Sequence, residues 1–100
     1  MSYSVKLISE ARTDIREIIA YYEEEKTGLG TRFYKGLVNA LKLAAKNPMI
    51  FQIRYKNIRH VSIKKFPIQI HYVVDERAKQ VIVIGATHTS RNPQIWKDRT

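Results

Sequence analysis

The sequence predicts an α+β domain in which an N-terminal strand, an antiparallel helical hairpin and a three-stranded antiparallel meander build one sheet, in the order β-α-α-β-β-β. Three observations carry this prediction. Apolar residues recur at helical spacing in two successive stretches of the first half. A pair of glycines separates those stretches. After residue 58 the period drops to two, as it does in strands with one face buried.

The first strand is residues 2–8, where Tyr3, Val5 and Leu7 alternate with Ser4 and Lys6. Ser9 then fits a helix N-cap. Ala11, Ile15, Ile18, Ile19 and Tyr22 make the apolar face of a helix over residues 10–26, with Arg12, Arg16, Glu17, Glu23 and Glu24 opposite. Glu23-Glu24-Glu25 reads as a solvated helix end. Thr27-Gly28-Leu29-Gly30 breaks the helix, and Gly30 or Thr31 can cap the next one. Phe33, Leu37, Leu41, Ala44 and Ala45 form its stripe until Asn47-Pro48 stops it near Lys46. So short a loop makes the two helices antiparallel neighbours.

Residues 49–55 are ambiguous. Ile58 to Phe66 alternates, and Pro67 suits a strand start. Ile68, Ile70, Tyr72 and Val74 then alternate with Gln69, His71 and Val73, and a polar turn at 75–79 leads to Val81-Ile82-Val83-Ile84, which is apolar on both faces. One helical layer covers one face only. Val73, Val81 and Val83 are expected on or near the face opposite Ile82 and Ile84, leaving apolar surface for Ile95 and Trp96 or a partner to cover.

One hundred residues without repeats or linkers make a single domain spanning 1–100. There is no cysteine, which excludes disulfides, thiolate metal sites and a cysteine nucleophile. No secretory leader or membrane span is visible, so the expected location is the cytoplasm. The net charge is +9, and it is uneven: residues 1–50 hold 8 basic and 6 acidic side chains, residues 51–100 hold 10 and 3. Folding does not require this asymmetry, and it points to an anionic partner.

No phosphate loop, zinc-protease, esterase or dinucleotide motif is present, so no cofactor and no small-molecule substrate are expected. Three histidines with no carboxylate close in sequence make a poor metal site. Any phosphoryl chemistry would have to run without a metal, on Lys, Arg, His and Tyr. The basic set is Arg54, Lys56, Arg59, Lys64, Lys65, Arg91, Lys97 and Arg99, interleaved with Tyr55, Phe66, Tyr72 and Trp96. Periodicity assigns Phe66 and Tyr72 to the core. Arg59, Lys64, Lys65 and Arg99 are candidates for phosphate or target binding. Trp96 is either a stacking platform or a packing clamp.

The chain resembles the RelE/ParE toxin family of type II toxin–antitoxin modules, often labelled plasmid-stabilisation proteins. The residues that carry the resemblance are Tyr21-Tyr22-Glu23-Glu24, Gly28-Leu29-Gly30 with Phe33, and Asn47-Pro48. Lys64-Lys65-Phe66-Pro67, Ile70-His71-Tyr72, Val81-Ile82-Val83-Ile84, His88 and Arg91-Asn92-Pro93 with Trp96 follow in the family's order. The resemblance implies a cytoplasmic toxin neutralised by a cognate antitoxin that covers part of the sheet. It implies one of two activities: inhibition of DNA gyrase by binding, or ribosome-dependent cleavage of mRNA. In the cleavage branch His88 would move a proton, Arg91 would stabilise the transition state, and Lys64 and Lys65 would hold phosphate. Gln69 stands where that branch commonly has an arginine, and Thr89 rather than a tyrosine follows His88. Both departures favour the gyrase-directed branch. A toxin homologue that has lost activity and only binds antitoxin is the third reading.

Overall fold

A computed structural model describes residues 2–89 together with Arg99. Its elements are β1 (Ser4–Leu7), α1 (Ser9–Glu25), α2 (Leu29–Lys46), β2 (Ile53–Tyr55), β3 (Ile58–Ser62), β4 (Ile68–Asp75) and β5 (Gln80–His88). They form a helical hairpin on one face of a five-stranded sheet of order β1-β5-β4-β3-β2. The α+β class and the hairpin are as the sequence predicts. Two details differ. The ambiguous stretch contributes a short edge strand, β2, paired antiparallel to β3. The sheet is mixed, because β1 runs parallel to β5, with Ser4 opposite Gln80 and Leu7 opposite Val83. The helical hairpin returns the chain to the side of the sheet where β1 began, and β5 then arrives beside β1 in the same direction.

The N-terminal cap of α1 is Ile8, without a side-chain hydrogen bond. Ser9 lies inside the first turn, its hydroxyl 3.1 Å from the Glu10 carboxylate. The hairpin loop is more tightly specified. Gly28 takes a left-handed φ of 90°, which a side chain would resist. Glu23 is not merely solvated: its carboxylate accepts the Gly28 N–H at 2.9 Å and the Gly30 N–H at 3.0 Å, binding the start of α2 to α1. At Gly30 a Cβ would lie 2.8 Å from the Ile19 carbonyl oxygen, so only glycine lets the helices approach this closely.

The core lies between hairpin and sheet. Ala11 and Ile15 of α1 and Phe33, Leu37, Ala40 and Ala44 of α2 pack on Val61, Ile63, Ile68, Ile70, Tyr72, Val81 and Val83. Each large side chain buried here stabilises the fold by about 1.5–3 kcal/mol relative to exposure. Phe66 is half-buried and meets Tyr22 and Phe33 edge-on, with ring centroids at 4.9 and 5.4 Å. Tyr72 is fully buried, and its hydroxyl donates to the Pro48 carbonyl at 2.7 Å, tying β4 to the end of α2.

The other face of the sheet carries a smaller cluster. Ile58 and Ile84 are buried there, with Ile8, Tyr55, Val73 and Ile82 packed around them. Val73 therefore shares a face with Ile82 and Ile84, not with Val81 and Val83. The reason is register: Val73 pairs with Ile82, and cross-strand partners point the same way. Ile84 is an extra residue in the ladder, since His71 opposes Gly85 while the next residue, Tyr72, opposes Val83.

Candidate functional site

The outer sheet face continues from this apolar cluster into a polar strip. His60 on β3 and His71 on β4 are register partners, and their rings meet edge to face at 4.4 Å. His71 is buried, and its Nε2 shares a 2.6 Å hydrogen bond with the Thr87 hydroxyl. Burial pushes His71 down to about 3, with the charges of His60 and Arg99 acting in the same direction. Burial also lowers His60, helped by the Arg54 charge and opposed by a hydrogen bond with Gln69. Both imidazoles are thus held neutral at pH 7.

The turn between β3 and β4 closes this strip at one end. The Ile63 N–H bonds the Ile68 carbonyl at 3.1 Å, and Lys65 adopts a left-handed φ of 71°. Ile68 opposes His88, and the Thr89 N–H donates to the Pro67 carbonyl at 2.9 Å. Exposed Lys64, Lys65 and His88 therefore share one end of the sheet. Lys64 also lines an open cavity of about 520 Å³, whose wall includes Leu43, Phe51, Arg54, His60 and Gln69.

The remaining sequence candidates are dispersed. Arg59 is half-buried, and its Nη1 donates to the Met49 carbonyl at 3.1 Å and the Phe51 carbonyl at 2.6 Å, stapling the loop after α2 to β3. Arg99 lies at the opposite edge, 2.6 Å from Asp14 of α1. Arg91 and Trp96 lie outside the described residues. Among the described residues no group of three or more His, Cys, Asp or Glu side chains could hold a metal ion. Among them, too, no helix is long and apolar enough to cross a membrane. Sequence reasoning missed the His60–His71 pair and the role of Asp14. Both histidines sit at outward positions of alternating strands, but only the register brings their rings together.

The helical hairpin thus lies on one face of a mixed five-stranded sheet, with a basic turn beside the end of the last strand. A family model described as the ParE toxin of the type II toxin–antitoxin system parDE matches residues 5–93. The chain belongs to this toxin family. Solved structures agree in fold. The free E. coli toxin RelE, solved as a double-arginine mutant, superposes with a TM-score of 0.75 at 16% identity, over 99% of this chain and 95% of that one. A chain of the chromosomal ParDE system of P. aeruginosa gives 0.74 at 13% identity, over 87% and 96%. A chain of the RelBE2 toxin–antitoxin complex of Mycobacterium tuberculosis gives 0.64 at 15% identity, over 88% and 92%. A search of curated protein sequences found no match.

Proposed function

We propose that the protein arrests growth by binding DNA gyrase, with no chemistry of its own, and that a cognate antitoxin neutralises it. The observation that carries this reading is the state of the polar strip. Proton transfer at pH 7 is most efficient from a group that titrates near pH 7. His71 is pinned near 3 and bonded to Thr87, and His60 is lowered beside it. Gln69 supplies amide hydrogen bonds but no positive charge for a phosphate. The His60–His71 strip suits recognition better than proton transfer; His88, the histidine that the cleavage reading names, lies outside it at the end of β5. On the outer face Ile58 and Ile84 are already buried, so the surface we assign to the antitoxin there is carried by the half-buried Val73 and Ile82. The solved relatives include toxin–antitoxin complexes, which supports such a partner.

The test is gyrase supercoiling with purified protein. Inhibition at micromolar protein is expected, and full supercoiling at that concentration removes the reading. One observation favours mRNA cleavage instead: Lys64, Lys65 and His88 share one end of the sheet. In that case a translating ribosome supplied with mRNA would show codon-phased cuts. Under either activity, Arg91→Ala combined with Lys65→Ala relieves growth arrest while the protein stays folded. Arrest that persists in the folded double variant means that other residues carry the function.

A further inference from the structure

β1 shields only the first half of β5. The pairing ends at Leu7 opposite Val83, where the Ile8 N–H bonds the Val83 carbonyl at 3.1 Å. Beyond that point, among the described residues, the edge of β5 faces α1 rather than a strand, and side chains serve its backbone. Asp14 Oδ2 accepts the Ala86 N–H at 3.1 Å. Arg99 Nη1 donates to the Ile84 carbonyl at 3.0 Å and to the same Asp14 oxygen at 2.6 Å. A carboxylate and a carbonyl converging on one nitrogen make a receptor for a cationic N–H donor. Only 18% and 17% of the two charged side chains remain exposed, which suits a weakly hydrated guanidinium better than an ammonium.

The receptor opens into a cleft of about 590 Å³, walled by Asp14, Glu17, Ile18, Tyr21, Tyr22 and His88 among others. Two carboxylates line it, although the chain as a whole carries +9. Its floor includes Ala86 and Thr87 of the β5 edge, and Tyr21, 58% exposed, stands at its wall. An extended peptide lying here would meet strand backbone, an apolar and aromatic wall, and a site for one positive charge.

We propose that the cleft between α1 and the outer half of β5 binds an arginine-bearing extended segment of a partner protein, and that Arg99 fills its guanidinium site in cis as a tethered competitor. The inference stands apart from the choice between gyrase and ribosome. It is tested by titrating ¹⁵N-labelled protein with N-acetyl-arginine amide and following the Ala86 amide resonance. Removing a tethered occupant removes a high local concentration, so Arg99→Ala binds the probe at least about tenfold more tightly than the parent protein. Adding Asp14→Asn to that variant abolishes the response, and the citrulline analogue, which is uncharged, gives none. Arg99→Gln, which keeps most of the side chain, repeats the gain in case the alanine variant is poorly folded. Equal affinity of parent and Arg99 variants overturns the proposal, as does a response that survives Asp14→Asn. Collapse of both Arg99 variants also overturns it, because Arg99 would then be a structural strut.

Discussion

Gly30→Ala sets helix propensity against packing, and the structure decides the sign. Gly30 is buried in the first turn of α2. Alanine there gains about 1 kcal/mol of helix propensity. The new Cβ lies 2.8 Å from the Ile19 carbonyl oxygen and 3.0 Å from Glu23 Oε1. The first neighbour is backbone of α1 and cannot swing aside, so overpacking costs about 2 kcal/mol. The second is the oxygen that accepts the Gly30 N–H, and displacing it costs about 1 kcal/mol more. The balance is a loss of about 2 kcal/mol, or about 10 °C in Tm for a chain of this size. Thermal unfolding followed by circular dichroism measures the shift, and urea unfolding should show a lower midpoint at unchanged slope. Gly28→Ala is the control, because a Cβ there meets nothing within 4 Å and only the φ of 90° opposes it. Its loss should be about 1 kcal/mol. A Gly30→Ala protein that melts at or above the parent temperature would refute the close approach of the two helices at this point.

Three further outcomes follow from the same geometry. His71 titrates near 3 when folded against an ordinary 6.5, so the unfolded chain binds a proton that the folded one refuses. Stability should therefore be full above about pH 7 and fall through pH 6 to 4, by up to about 1.4 kcal/mol per pH unit; urea midpoints across that range measure it, and His71→Gln should flatten the profile. Arg59→Ala removes the donor to two carbonyls and should cost about 2 kcal/mol in urea unfolding, whereas unchanged stability would mark Arg59 as a residue kept for ligand alone. Lys65→Gly relieves a left-handed side chain and should raise stability by about 0.5 kcal/mol while weakening retention on heparin; a loss of stability would show that the lysine is there for the fold.

The helical hairpin was legible because its cues are local: a 3.6-residue period, two glycines and Asn47-Pro48. The failures all needed partners distant in sequence. β2 has a single half-buried residue, Tyr55, and its outward Ile53 breaks the alternation that marks a strand. The parallel pairing of β1 leaves no trace within Ser4–Leu7, since it depends on where β5 arrives. Val73 changed faces because the bulge at Ile84 and the register of β4 on β5 are not written in either strand alone. At the site, basic residues could be nominated but not sorted. Arg59 and Lys64 look alike in sequence, yet one holds two backbone carbonyls and the other stands in solvent beside a cavity. Glu23 was hidden for the opposite reason, since a run of three glutamates conceals the one that turns inward to cap α2.

The parallel seam between the outermost segments has a consequence for biosynthesis. Ser4 meets Gln80, so β1 finds its neighbour only after both helices and β2, β3 and β4 have been made. The helical hairpin has all its own contacts much sooner and can form as a local unit. Until residues 80–83 emerge, however, one flank of that hairpin has no sheet to settle on. The parallel pairing that completes this side of the sheet is therefore made last.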